Sequence, residues 1–403
     1  MDDDVISALE AIDPSRADRF ADGSIHPLMK RLRQEAPVHY CASSEHGPFW
    51  SITRHADIRE IELQPERFSS SYQRGGVSLI QPPGVESLVT FIQMDPPDHG
   101  PRRQALVPAF SAQEMTRLSE NIRNRTSDLL DQLPRGKTFD WVSDVSVRLT
   151  TDMLATLFDF PWEDRHLLPE WTDWIVSLER IQKEPQGRME KMGEMAAYFL
   201  RLWQERASTP EAPDLLSRMI HSGALGHMDA PEFLGNMATL VVGGNDTTRN
   251  TMSGLAIAFD QWPEEREKLY ADTGLIITAV PEAIRWQSPA AHMRRTVTED
   301  TEFRGKTFKA GDSVVMWYIS GNRDEAVFEN PDRFIADRKN ARDHIAFGYG
   351  IHRCLGARLA ELQLRILLEE MASRKVIVRR VGPVVREAHP FLTNVLSVPV
   401  ELH

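Results

Sequence analysis

Most apolar positions along the chain recur at helical spacing. After Cys354, Leu355, Leu359, Leu362 and Ile366 fall three and four residues apart and make one apolar face. The same spacing predicts helices over 26–35, 55–63, 111–133 and 143–157, and a mostly helical stretch over 162–206. Inside that stretch, residues 178–190 are charged, and Pro185 and Gly187 are expected to break it into an exposed connection. Residues 49–53 read as a strand, and alternation over 301–308 around Gly305 reads as a hairpin. Residues 280–286 read as a helix end with Glu282 and Arg285 one turn apart.

Two stretches resist a simple reading. Over 229–260, Asp229 and Glu232 make a capping-box-like start, and Leu240, Val241 and Val242 are apolar. Gly243 to Thr248 then form a run of poor helix formers, together roughly 4 to 5 kcal/mol worse than alanine. On propensity alone the helix ends there, with Asp246 or Thr247 capping the next. Residues 75–94 mix Gly and Pro with Val77, Leu79, Ile80, Val85, Leu88, Val89, Phe91 and Ile92, which reads as a loop packed on the core.

A length of 403 residues suggests two or three domains, yet no linker, repeat or low-complexity run divides the chain. The net charge of −12 argues against a nucleic-acid partner. Cys41 and Cys354 offer no disulfide framework and suit a reducing compartment. The opening MDDDVISALEAID is acidic and unlike a signal peptide, and no run of about 18 apolar residues predicts a membrane span. A cytoplasmic protein is expected.

The candidate chemistry centres on Cys354. Gly348, Gly350 and Gly356 crowd around it, and the helical pattern begins just after it. Free N–H groups and the dipole at a helix start favour a thiolate, a strong metal ligand. With no second cysteine nearby, a Cys-rich zinc or iron–sulfur site is excluded. A haem iron needs only one axial ligand from the chain. Taken alone, a lone cysteine reads as a small buried hydrophobe. Likewise His99 and Arg103, four apart after a possible Asp98 cap, read alone as a solvated basic face.

The whole stretch FGYGIHRCLGARLA resembles the haem-binding loop of cytochromes P-450, F-G-x-G-x-H-x-C-x-G-x-x-L-A. The resemblance implies a mainly α fold with small β-sheets, a single large haem domain over 1–403, haem b as cofactor and O2 as co-substrate. It implies that Cys354 is the proximal ligand of the iron. His99, Arg103, Arg295 and His352 would hold the haem propionates, with Phe347 and Gly243 also against the cofactor. Gly100 and Pro101 depart from the expected residues between His99 and Arg103, so a later helix start is expected there. GGNDTT resembles the distal-helix motif [AG]-G-x-[DE]-T-[TS], which makes Thr247 the catalytic hydroxyl and Asp246 the proton relay. Glu282 and Arg285 match E-x-x-R, with Arg333 of NPDRF completing a structural trio.

By position, residues 75–94 resemble the roof of the substrate pocket and 178–190 its lid. Val242, Ala290, Ala291, Met293, Phe391, Leu392 and Phe91 would line the pocket. VGGNDTTRN, IRWQSPAAHMRRT, VVMWYISGNRD and the extended cysteine loop are similar to the soluble bacterial alkane and fatty-acid terminal hydroxylases. That implies insertion of one oxygen atom at a terminal methyl, with Arg180, Lys183 or Arg188 near any substrate carboxylate. No flavin or NAD fingerprint is present, so NAD(P)H electrons are expected to arrive through a ferredoxin reductase and a ferredoxin, docking near Arg353 and Arg358. A monomer with a small apolar substrate is expected. A terpene or steroid hydroxylase, a non-catalytic haem-thiolate sensor, and a peroxide-driven enzyme are the alternatives; the last would lack the Asp246–Thr247 pair.

Overall fold

In a computed structural model, residues 9–80 and 88–403 are described. The portion of the expected roof at 81–87, including Val85, lies outside them. The architecture is mainly helical with small sheets, as the resemblance implied. Among the described residues, no helix is long and apolar enough to cross a membrane.

The long helix Ala230–Gln261 runs unbroken through the expected stop at 243–248. Asp229 caps it by accepting the Glu232 N–H at 2.9 Å. Tertiary partners override the weak propensity. Asn245 accepts from Thr150 Oγ1 at 2.7 Å and donates to Thr172 Oγ1 at 3.2 Å. Thr247 Oγ1 returns to the Gly243 carbonyl at 3.1 Å. The polar side chains that would compete with the helix backbone are thus satisfied across neighbouring helices or one turn back.

The region 162–206 divides differently from the sequence expectation. Helices Leu167–Val176, Leu178–Lys183 and Pro185–Arg206 are separated at Ser177 and Glu184. Pro185 opens a helix, because an N–H missing in the first turn costs nothing. Gly187 lies within that helix against the Trp174 ring, which a Cβ would approach to 2.7 Å. Helix His99–Leu106 starts at His99 despite Gly100 and Pro101, so the later start is not observed. Asp98 makes no side-chain cap. Asp95 instead ties the turn down, accepting from Ser69 Oγ and from the Ser70 N–H.

The largest sheet has the order Val38–Cys41, Phe49–Ile52, Ser313–Met316, Met293–Val297, Phe68–Ser69. Arg295 pairs with Val314 in its antiparallel register. The predicted hairpin is present as Thr301–Phe303 and Lys306–Phe308, turned at Arg304 and Gly305 with φ of 49° and 72°.

The structural trio needs one correction. Glu282 and Arg285 are fully buried and joined by two bonds of 2.6 and 2.8 Å. The third cation is Arg338, whose Nε donates to Glu282 Oε2 at 2.9 Å. The Arg333 guanidinium points outward to Glu264 at 2.5 Å, and only its backbone carbonyl receives Arg285. The chain turns at Asn330 (φ 46°), and the Arg333 side chain beyond it is exposed. Removing one member of a buried ion pair leaves a charge without a partner, whereas an exposed pair is screened. Arg338→Ala is therefore expected to cost about 3 to 5 kcal/mol in unfolding free energy, and Arg333→Ala about 1 kcal/mol or less. Denaturant titration of both variants measures the difference.

Candidate active site

The long helix and the helix Ala357–Ser373 face one another across a cavity that both line. One wall carries Cys354, Leu355, Gly356 and Leu359, and the opposite wall carries Leu240, Gly243, Thr247 and Thr251. The spacing of that second set explains it: positions 240, 243, 247 and 251 are one face of a continuous helix. A Cβ on Gly243 would meet nothing within 4 Å, so this wall is open above the cavity.

Cys354 is held where a glycine-rich loop enters a helix. Its N–H donates to the Phe347 carbonyl at 2.7 Å, closing the loop. Gly348 and Gly350 have φ of 69° and 66°, the left-handed region that favours glycine. The cysteine side chain is accessible, and the space it faces is the cavity. Burial raises its thiol pKa, while the Gly356 and Ala357 N–H groups, Arg353 and Arg103 act in the opposite direction. The helix start therefore favours the thiolate as read from the sequence, yet burial outweighs it in the protein alone. Coordination to a metal removes the proton outright.

Four cationic or imidazole side chains gather at one end. Arg103, Arg295 and His352 line the cavity, and the His99 ring lies 4.2 Å from that of His352. Burial lowers His99 to about 4 and His352 to about 2, and neighbouring arginines add to the effect. Both ring nitrogens of His352 and Nε2 of His99 are buried without a hydrogen-bond partner. Such orphaned groups are rare in folded proteins and mark a place for an acceptor. Arg103 donates to the Arg353 carbonyl at 2.6 Å, and Arg295 reaches Glu62 at 3.3 Å.

Several expected residues stand elsewhere. Phe91, Ala290, Met293 and Phe347 line the cavity as predicted. Val242 is outside its lining, one helical step away from the Gly243 face. Ala291 is fully buried and donates its N–H to the Phe391 carbonyl at 2.8 Å. Phe391 packs on His292, and Leu392 is bridged to Ala290, so this turn backs the wall instead of entering the cavity. Asp246 also faces away. It is fully buried, paired with Arg249, and bonded by Asn250 Nδ2 at 3.2 Å. Burial raises its carboxyl pKa against the pull of Arg249. Arg249 in turn reaches Asp173 at 3.1 Å, whose side chain is 38% exposed.

Val77 and Ile92 of the expected roof line the cavity, whereas sequence reasoning missed Leu240, Thr251 and Tyr318. Leu240 and Thr251 were within reach once the helix was known to continue past Gly243. Tyr318 carried no signal, since it arrives from the end of a sheet strand. Among the expected lid cations, Lys183 is tied to Glu179, and Arg180 lies over Trp174. Among the described residues, Arg188 donates to the Ile175 carbonyl alone, at 3.4 Å.

The chain belongs to the cytochrome P-450 family, whose sequence profile matches residues 136–374. It is 35% identical to linalool 8-monooxygenase of Pseudomonas putida, over 91% of this chain and 92% of that protein. It is 30% identical to the methyl-branched lipid omega-hydroxylase of Mycobacterium tuberculosis, over 92% and 89%. Among solved structures, cytochrome P-450-153 from Novosphingobium aromaticivorans is 48% identical with a TM-score of 0.91, covering 97% of this chain and 99% of that one. CYP153D17 from Sphingomonas sp. PAMC 26605 is 48% identical with a TM-score of 0.92, covering 98% and 100%.

The protein is thus a haem-thiolate monooxygenase that uses haem b and O2, with NAD(P)H electrons delivered by redox partners. The residues present fit that cofactor. Cys354, exposed at the cavity wall, would hold the iron by its thiolate. Two arginines and two unpartnered histidines suit its two carboxylates. Cys354→Ala is expected to abolish the red-shifted Soret band of the reduced CO complex, and Cys41→Ala to leave it intact. Visible absorption spectra of the two variants check this.

Proposed function

We propose that this single-domain enzyme inserts one atom of O2 into the terminal methyl of a medium- or long-chain alkane or fatty acid. In this reading Cys354 would hold the haem iron through its thiolate, and His99, Arg103, Arg295 and His352 would hold the cofactor's carboxylates. The observation that carries the substrate class is the wall above Gly243 and Thr247. Val77, Phe91, Ile92, Leu240, Ala290 and Met293 are apolar there, and small Ala290 stands beside bulkier neighbours. Such a wall suits a methylene chain, each buried CH₂ contributing about 0.8 kcal/mol. A primary C–H bond is the least reactive in such a chain, so terminal selectivity must come from positioning. The name of the mycobacterial relative, a lipid omega-hydroxylase, supports the same class.

The haem, when bound, supplies the activation of O2. Thr247 presents its hydroxyl at the cavity, and Asp246 holds a proton-accepting carboxylate one residue away on a different helix face. For Asp246 to serve the cavity its side chain must turn from Arg249, leaving Arg249 to Asp173. Electrons come from a ferredoxin and its reductase. Arg353 and Arg358, both exposed beside the cysteine loop, are suited to an acidic partner. For an acid substrate, Arg188 is the best of the lid cations, because the other two already have acidic partners.

Product analysis on octane and dodecanoic acid tests the substrate. The expected products are the terminal alcohol and the omega-hydroxy acid. The linalool-oxidising relative favours a second reading, a terpene hydroxylase. Internal alcohols would overturn the terminal reading, and oxidation of a terpene alone would establish the second in its place. Thr247→Ala is expected to consume NAD(P)H at a comparable rate but to release hydrogen peroxide in place of most alcohol. Asp246→Asn is expected to slow turnover about 10²-fold or more, the usual contribution of a positioned proton donor. The ratio of product to NAD(P)H consumed measures both.

A further inference from the structure

Glu62 ends the helix His55–Glu62 and is buried at the carboxylate-binding end of the cavity. Its side chain is 1% exposed. Oε1 receives Arg295 Nη2 at 3.3 Å and the Tyr318 hydroxyl. Among the described residues, Oε2 is buried without a hydrogen-bond partner. Arg295 and Tyr318 both line the cavity, so Glu62 stands directly behind two of its walls. The cysteine loop is shaped around it. A Cβ on Gly350 would collide with the Glu62 carbonyl oxygen, and one on Gly348 would approach Oε1 to 3.4 Å and the Tyr318 hydroxyl to 3.2 Å.

We propose that Glu62 is a positioning residue for the carboxylate end of the haem, and that its protonation decides how fully Arg295 is available to the cofactor. This rests on haem occupying the cavity, as the family requires. A cofactor carboxylate and an ionised Glu62 would share one guanidinium, and two carboxylates at one cation repel. A protonated Glu62 frees Arg295, and its O–H becomes a donor.

The groups that face Glu62 come from three elements. They are Arg295 from the sheet, Tyr318 from the turn after it, and the Tyr349 N–H from the cysteine loop. On its own helix, Arg59 turns to Tyr349, while Asp57 and Glu60 turn to Arg304. Burial raises the Glu62 carboxyl to about 7, against the opposing pull of Arg295, Tyr318 and Tyr349. It therefore holds its proton below about pH 7 and releases it above. Ionisation adds a negative charge beside the cofactor and favours the ferric over the ferrous state. The midpoint potential should fall as pH rises through this window.

The test is a spectroelectrochemical titration of the haem-loaded protein from about pH 5.5 to about pH 8.5, a range that brackets the carboxyl. Wild type is expected to show a falling midpoint with an inflection near neutrality. Glu62→Gln should be flat and sit at or above the acid limit of the wild type. Tyr318→Phe should move the inflection to higher pH, since the phenol stabilises the ionised carboxylate. A purely structural role would not move an inflection. A flat wild-type profile, a slope that survives in Glu62→Gln, or an unmoved inflection in Tyr318→Phe overturns the proposal. Should Glu62→Gln fail to retain haem, the Tyr318→Phe profile decides. None of these readouts depends on which substrate is oxidised, so the substrate reading stands or falls separately.

Discussion

The buried ion network of Glu282, Arg285 and Arg338 is the constraint on which the cysteine side of the molecule depends. Three charges out of water are costly unless every hydrogen-bonding site is filled. Here they are filled largely by backbone. Arg285 Nη1 donates to the carbonyls of Asn322 and Pro331, and Nη2 to that of Arg333. Glu282 accepts the Ile335 N–H at 2.9 Å. Asn322 then accepts the Ile345 N–H at 2.7 Å, two residues before the loop that carries Cys354. A helix, an irregular segment and the cysteine loop are held in one register by groups that cannot be left unpaired.

The opposite wall depends on a helix that its own residues disfavour. Gly243, Gly244 and the polar run after them open one face to the cavity, while Asn245 bonds to helices behind it and Asp246 to Arg249 and Asn250 of its own helix. The same helical step separates two roles. Thr247 faces the cavity, and its neighbour Asp246 is locked to Arg249, itself tied to the half-exposed Asp173. The acid is kept near the reaction space without adding charge to it, and its link to Asp173 leads toward solvent.

Much of the site was legible along the chain because its determinants are local. A glycine-rich loop around one cysteine and a Gly-Gly-x-acid-Thr run are set by backbone geometry over a few residues, and the family's motifs preserve that order. The helices with strong apolar periodicity also appeared within a residue or two of expectation, as at Ala112–Gln132 and His55–Glu62.

What the chain alone left open depended on partners distant in sequence. Propensity ended a helix at Gly243, and contacts from Thr150 and Thr172 carried it on. A motif assigned the third cation to Arg333, and the folded chain brings Arg338 to Glu282 in its place while Arg333 reaches Glu264. Phe391 and Leu392 are apolar enough to line a pocket, yet backbone pairing with Ala290 and Ala291 sets them behind its wall. Glu62 lay inside the helix expected over 55–63 and carried no signal of its own. Only folding, which brings Arg295 from 233 positions away and Tyr318 from 256, makes it a buried acid beside the cofactor's site. The sequence by itself determined which residues could bind a metal and handle protons, because those capacities reside in side-chain chemistry and local backbone. The tertiary structure decided which way each one faces, because burial and pairing are properties of neighbours.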